Sequence, residues 1–424
     1  MFKRIKSSLY SNNRVITTIF LLYPLLPIFA ITGPFLSDFI FSLIALLTLI
    51  EIIRKRDFFL FKNKIILFFL FYYFFILTLS ITSTNPLLSL ESTLFYFRYF
   101  IFLISSYYII HLIIDNVEIF INILLSIFLI ILFDSLFQFI FGFNIFGFKS
   151  IYEDRISSFF NQEYILGSFI SKFYPLLVGF IYLYNKSTLF NINKDYFFFT
   201  ITLITLIIIL LSGERTAMGY FVLFVFAYSF IIFKNKIITL LIFYFTFFLL
   251  TLTIVLSVSS FKERFLNSTY LEFFNNQSDE KNEIYFFTKR HNDHINTAID
   301  IFSDGNYYGI GPKLYRVFCD YEKYKRKYSC TTHPHNYFAQ LLLETGILGA
   351  LIYLIFIFLL IKHSYNIFKS NKEISDLNKF RLSILLIIII INLPIFPSGN
   401  FFNNYNNVIL FYIASFIMSF KKKL

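Results

Sequence analysis

The segment His333-Pro334-His335-Asn336-Tyr337 sets two imidazoles directly before an apolar stretch carrying Glu344-Thr345-Gly346-Ile347-Leu348-Gly349. Histidine titrates close to neutrality, so an imidazole at the mouth of a membrane helix can take up and release a proton there. Pro334 is tolerated in a first helical turn, which puts the expected helix start at this point. Residues two apart on a helix diverge by about 200°, so at most one of the pair faces a given site unless the first lies before the helix starts. On this reading His335 is the candidate base and His333 is structural. A helix N-terminus disfavours imidazolium and keeps a ring there neutral, able to accept a proton.

The arginines suggest what such a base works beside. Arg215 lies in the tight turn Ser212-Gly213-Glu214-Arg215-Thr216 between two apolar runs. A guanidinium binds phosphate oxygens in bidentate fashion, and the start of the next helix favours an anion. The plainer reading is a boundary charge reaching for lipid headgroups. Arg290 sits between Lys289 and His291, upstream of Gly309-Ile310-Gly311-Pro312, which reads as a sharp turn. Arg98, Asp134 and Lys172 fall inside apolar runs, where charge is costly and is either paired or functional. They read either as a paired structural network or as a polar funnel toward a site. Cys319 and Cys330 lack the CxxC spacing of a zinc set. In an oxidising compartment they favour a disulfide, whose loop of about twelve residues is worth roughly 3 kcal/mol and braces the approach to His333. No metal cluster, nucleotide loop or Ser-His-Asp order stands out, and no cofactor is expected.

These residues must be positioned by membrane helices. The chain has 424 residues, is 57% hydrophobic and has a mean hydropathy of +0.70, where soluble domains run at about 45–50% apolar. The expected fold is an all-α polytopic membrane protein with about twelve transmembrane helices. Their limits fall near 15–32, 35–53, 65–82, 95–114, 119–141, 164–184, 196–212, 217–233, 237–256, 336–361, 381–396 and 404–420. The whole of 1–424 reads as one integral membrane domain, with a large polar insert at 257–335 between the ninth and tenth spans. The basic start (Lys3, Arg4, Lys6, Arg14) leads into an apolar run without a small-residue cleavage site, so it reads as a span that stays.

The net charge of +12 does not imply nucleic acid, because the excess sits in alternate short loops. One set holds Arg54-Lys55-Arg56, Lys62 and Lys64, Lys186 and Lys194, Lys234 and Lys236, Lys362 through Arg381, and Lys421-Lys422-Lys423. The opposite short loops, near 33, 83–94 and 397–403, hold no Lys or Arg. By the positive-inside rule both termini are cytoplasmic. Three features then face outward: the 142–163 loop with Lys149, Glu153, Asp154 and Arg155, the Ser212–Thr216 turn, and the insert. A nucleotide cannot supply energy on that face, so a group transfer there needs an already activated donor, such as a lipid-linked diphosphate sugar.

Taken in order, these pieces resemble the O-antigen ligase and O-antigen polymerase superfamily of bacterial inner-membrane glycosyltransferases. The resemblance runs from about 150 to 360. It is carried by Arg155-Ile156-Ser157-Ser158-Phe159-Phe160 with Leu166-Gly167-Ser168, by Ser212-Gly213-Glu214-Arg215, by Arg290 with Gly309-Ile310-Gly311-Pro312, and by His335-Asn336 with Glu344-Thr345-Gly346 and Gly349. It implies inverting, metal-independent transfer of a glycan from undecaprenyl diphosphate to an acceptor hydroxyl, the lipid A–core sugar in the ligase, on the periplasmic face. His335 is then the general base, Arg215 and Arg290 hold the donor diphosphate, and Arg155, Arg98, His333 and Glu214 give support. Where the family often has an aromatic after the insert arginine, this chain has His294. The polymerase uses the same donor chemistry, and one dominant insert favours the ligase. A transporter predicts inverted repeats, broken helices and midplane charges, and no repeat is visible.

Overall fold

An apolar chain in lipid must satisfy its backbone internally, and helix does so within each segment. A computed structural model of the chain describes residues 13–150, 155–184, 188–189, 192–274, 288–369 and 374–417. Lys3, Arg4, Lys6, Glu153, Asp154, Lys186 and Lys421-Lys422-Lys423 lie outside the described residues, as does stretch 275–287 of the insert.

The protein is an all-helical, multi-pass membrane protein. Ten helices among the described residues have the length and hydropathy of a span. They are α1 (Arg14–Ile31), α2 (Pro34–Lys55), α3 (Lys64–Thr82), α4 (Pro86–Asp115), α5 (Val117–Phe141), α6 (Leu166–Leu183), α7 (Lys194–Ser212), α8 (Arg215–Phe233), α9 (Ile237–Ser257) and, after the insert helix α10 (Lys289–Ser303), α11 (Tyr337–Lys369). These correspond to the first ten expected spans. The last two expected spans are the shorter helices α12 (Asp376–Ile391, 16 residues) and α13 (Asn404–Ser415, 12 residues). The loop between them carries Pro394 and Pro397, which cannot continue a helix. A two-residue strand pair, Thr188–Leu189 with Ile192–Asn193, is the only sheet among the described residues.

The chain forms two compact units. The first holds the residues up to Ser37, Ile109–Thr269 and Lys362–Ile390; the second holds Asp38–Tyr108, Tyr270–Ile361 and the residues from Ile391. In the first unit α6 is the centre, with 89% of its span buried against 17% for the lipid-facing α9. Lipid gives helices no hydrophobic reason to associate, so close packing through small residues does the work. A Cβ on Gly167 would come within 2.4 Å of Ser212 Oγ, and one on Gly179 within 2.3 Å of Ser383 Oγ. Asp134 is wholly buried: Oδ1 accepts from the Ile145 N–H at 2.9 Å and Oδ2 accepts from the Ser158 hydroxyl. Gln138 and Asn144 complete this knot, accepting from the Ser158 N–H at 2.7 Å and donating to its carbonyl at 3.0 Å. In the second unit Arg98 forms an ion pair with Asp38 at 2.8 Å. Asp134 and Arg98 therefore follow the structural reading of intramembrane charge rather than the funnel.

The second unit turns on a fault in α11. Gly346 has φ 72° and ψ −173°, so the helical ladder stops there and resumes. Residues of the Gly309-Ile310-Gly311 turn fill the gap. Ile310 N–H donates to Leu343 O at 3.0 Å, Gly311 N–H to Glu344 O at 3.0 Å, and Ile347 N–H to Tyr307 O at 3.1 Å. An apolar cluster of Ala298 and Ile301 from α10, with Ile310, Leu314, Ala339 and Leu343, locks the insert onto the start of α11. Cys319 and Cys330 are joined by a disulfide in the same insert.

Gly309 and Gly346 cannot carry side chains here. A Cβ on Gly309 would meet Gly346 N at 2.7 Å, and one on Gly346 would meet Tyr307 O at 2.5 Å, each at positive φ. Gly309→Ala is expected to cost about 2–4 kcal/mol from backbone strain and overpacking. The check is the midpoint of thermal loss of helicity by circular dichroism in detergent, which should fall by several degrees; an unchanged midpoint sinks the clasp.

Candidate functional site

The second unit gathers four histidines. The His335 ring centroid lies 4.1 Å from that of His333, 5.0 Å from His294 and 5.6 Å from His291. His291 and His294 come from one face of α10, three residues apart. His333 and His335 come from the loop before α11, which corrects the expected helix start at Pro334. The helix begins at Tyr337, with Asn336 as its cap: Asn336 Oδ1 accepts from the Ala339 N–H at 3.0 Å and its carbonyl accepts from the Gln340 N–H at 2.9 Å. The 200° separation therefore does not apply, and the two rings face each other. Asn336 can cap because its own Nδ2 is fixed on Pro394 O at 2.7 Å.

His335 itself is held in the left-handed region, at φ 54°. Non-glycine residues rarely sit there, and such strain persists where neighbours enforce it. Here the Ser398 N–H donates to His335 O at 2.8 Å, and the cap at Asn336 fixes the next residue. Burial pushes the His335 imidazole down to about 3, aided by its three histidine neighbours. Burial likewise lowers His333 to about 4, opposed by the nearby Ser398 backbone, and lowers His294. His294 Nδ1 lies 3.2 Å from Ser329 O, and a carbonyl only accepts, so Nδ1 carries the proton and Nε2 is bare. His294, His333 and His335 are thus biased toward the neutral form. Among the described residues no group of His, Cys, Asp or Glu is arranged to hold a metal ion.

Below this cluster runs a buried polar chain. Gln340 Nε2 donates to Glu344 Oε2 and to Asn400 Oδ1, each at 2.9 Å, and Tyr315 N–H donates to Glu344 Oε1 at 3.2 Å. The Tyr315 hydroxyl donates in turn to Ser329 O, the carbonyl that orients His294. Arg290, at the exposed start of α10, lies over the Tyr328 ring at 5.2 Å and adjoins His291.

The other expected residues belong to the first unit. Arg215 opens α8 and its Nη1 donates to Thr269 Oγ1 at 3.2 Å. Glu214 is a cap for a different helix: Oε1 accepts from the Gly167 N–H at 2.6 Å and Oε2 from the Ser168 N–H at 3.1 Å, at the start of α6. Burial raises its carboxyl to about 7, opposed by those amides and by Arg155. Arg155 lies over the Tyr164 ring at 4.3 Å and its Nε donates to Ser212 O at 3.4 Å. Arg155 and Glu214 thus build the turn that presents Arg215. The reading from sequence missed Arg316 and the roles of His291 and His294, although the i, i+3 spacing of those histidines was a signal.

The model of the family described as O-antigen ligase matches residues 200–354, a stretch holding Arg215, Arg290 and His335. The match covers just over a third of the 424 residues, and over that stretch the chain is similar to the O-antigen ligase family. Among curated proteins, none matches the chain. Members of this superfamily are glycosyltransferase-like enzymes, and the family indicates ligase- or polymerase-type function. The pieces that carry the resemblance divide into two clasps. Gly167-Ser168 meets Glu214 in one unit, and Gly309-Ile310-Gly311 meets Glu344-Thr345-Gly346 in the other.

The lowered histidines link to stability. Unfolded imidazoles titrate near 6.5, and His333 and His335 near 4 and 3 when folded. Between these limits the unfolded chain binds more protons, so stability falls as pH drops through that window. Melting midpoints should therefore decline from pH 6.5 toward 4, and His333→Gln should flatten the decline. A slope indifferent to that substitution counts against the buried neutral cluster.

Proposed function

We propose that the protein is an O-antigen ligase-type glycosyltransferase that moves a glycan from undecaprenyl diphosphate to a hydroxyl of lipid A–core. The observation that carries this reading is the neutral His335 imidazole, held at positive φ at the mouth of the clasped helix α11. In the step, His335 takes the proton from the acceptor hydroxyl and that oxygen attacks the anomeric carbon. The bond from that carbon to the diphosphate breaks, undecaprenyl diphosphate leaves with the electron pair, and the glycan is joined to the acceptor oxygen with inverted anomeric configuration. Arg290 and Arg215 are the proposed contacts of the diphosphate, whose developing charge a guanidinium stabilises. The alternating loop charges support cytoplasmic termini and a site on the periplasmic face of the inner membrane. The break in α11 does not favour a transporter, since Leu343 O, Glu344 O and Ile347 N–H are all bonded to protein backbone.

A base with a pKa near 3 is weak, but a diphosphate alongside it favours imidazolium and raises that value. The profile of kcat/KM, which reports the free enzyme, should show no acid limb from His335 above about pH 5. The profile of kcat, which reports the bound complex, should show that limb at least one pH unit higher. Coincident limbs would count against a donor-tuned base.

His335→Ala should abolish transfer while the protein still folds in the membrane. In a deletion strain viewed by glycolipid gel, loss of a ligase strands long glycans on the lipid carrier. Core capped by a single repeat unit would identify a polymerase instead, and normally capped lipopolysaccharide would overturn both.

A further inference from the structure

Two buried nitrogens beside the histidine cluster have no role in the reading above. Arg316 lies in the short helix Tyr315–Phe318, between Tyr315, anchored on Glu344, and the disulfide at Cys319. Its Nη2 reaches Thr332 O at a long 3.4 Å, and its buried Nε has no hydrogen-bond partner among the described residues. No described carboxylate pairs with it. Three other cations of this unit are matched: Arg326 with Asp300 at 2.6 Å, Lys313 with Glu91 at 3.0 Å and Lys323 with Asp304 at 2.5 Å.

His333, next to Thr332, repeats the pattern. Its side chain is 9% exposed, and Nδ1 is engaged with Thr332 Oγ1 at 2.9 Å. Nε2 is buried without a partner of hydrogen-bond geometry, although the Ser398 backbone is near enough to act on the ring. Arg316 is in turn close enough to bear electrostatically on His333. An unbonded buried donor such as Arg316 Nε is costly. Glu344 bears on this guanidinium electrostatically, but its carboxylate oxygens are bonded to Gln340 and Tyr315 and form no ion pair with it. A guanidinium so placed is suited to an anion.

We propose that Arg316, together with His333, forms a subsite that grips a phosphate or carboxylate on the acceptor glycolipid, next to the hydroxyl that His335 deprotonates. This rests on His335 as the base. If it is, the accepting oxygen lies against the His335 ring, and the rest of the acceptor sugar falls on the ring's neighbours. His333, at 4.1 Å, is the nearest of the three ring neighbours, and it leads to Arg316. Arg290 approaches through a different neighbour, His291, which leaves the donor and the acceptor each a cation.

The test is transfer by the full-length protein in detergent, with undecaprenyl-diphosphate-linked glycan as donor. Three acceptors are compared: lipid A–core, the same glycolipid dephosphorylated, and the same with its carboxyls reduced. Wild-type protein should show an acceptor KM raised about tenfold or more for one of the altered acceptors, as expected for loss of a charge-assisted contact. That acceptor tells phosphate from carboxylate. Arg316→Gln should raise KM for intact acceptor by the same factor, leave donor KM unchanged, and show no further loss on the altered acceptor. Arg316→Lys should recover part of the affinity. Equal wild-type KM for all three acceptors overturns the proposal, and this arm needs no variant to fold. A rise in donor KM, or a loss in Arg316→Gln shared by every acceptor, also overturns it. Failure of the underlying reading is separate: it is an unchanged transfer rate in His335→Ala.

Discussion

The second unit depends on the interruption of α11 at Gly346. Breaking a helix inside a bilayer frees carbonyls and an N–H that water cannot reach, and each must find a protein partner. The Tyr307–Gly311 segment supplies all three bonds, and it can approach only because Gly309 and Gly346 lack side chains. That junction brings the insert down onto the spanning helix. It fixes Tyr315 on Glu344, and Tyr315 in turn fixes the Ser329 carbonyl on which His294 is oriented. The histidine cluster is therefore as well placed as the break is well satisfied.

The same economy appears in the first unit in another form. The start of α6 needs acceptors for its free amides, and Glu214 provides both from a distant turn. A sequence neighbour could have capped α6 equally well. Using Glu214 instead ties the turn before Arg215 to the most buried helix of the unit. Arg264 closes the other side of this turn, its Nε donating to Gly213 O at 3.0 Å. Arg215 thus starts α8 from a turn held on both sides.

The sequence made the helices legible because spans in lipid must be long and apolar, and ten of the expected limits meet helices of that length. The cystine pair and the glycine turns were visible as local chemistry. The break in α11 was not, since Glu344-Thr345-Gly346 reads equally well as uninterrupted helix when its partner lies more than thirty residues upstream. The start of α11 was misplaced for a related reason. Pro334 suits a first turn, but Asn336 is bound to Pro394 O far along the chain, and that contact decides which residue caps. His294 looked like a departure from family pattern; in space its ring lies 5.0 Å from that of His335.

Charge pairing separates architecture from chemistry in this unit. Arg98 and Arg326 each face a carboxylate, at 2.8 and 2.6 Å, and both are explained by holding helices or loops together. Arg290 has an aromatic face and Arg316 a distant carbonyl, and among the described residues neither forms an ion pair, although Glu344 bears on Arg316 electrostatically. A protein under no other constraint pairs or removes such a charge, because an unmatched guanidinium near low-dielectric surroundings loses hydration without return. Keeping two of them near neutral imidazoles is consistent with anions that arrive with the substrates. Burial sets His333 and His335 for the uncharged state, and an anion beside them would favour the charged one.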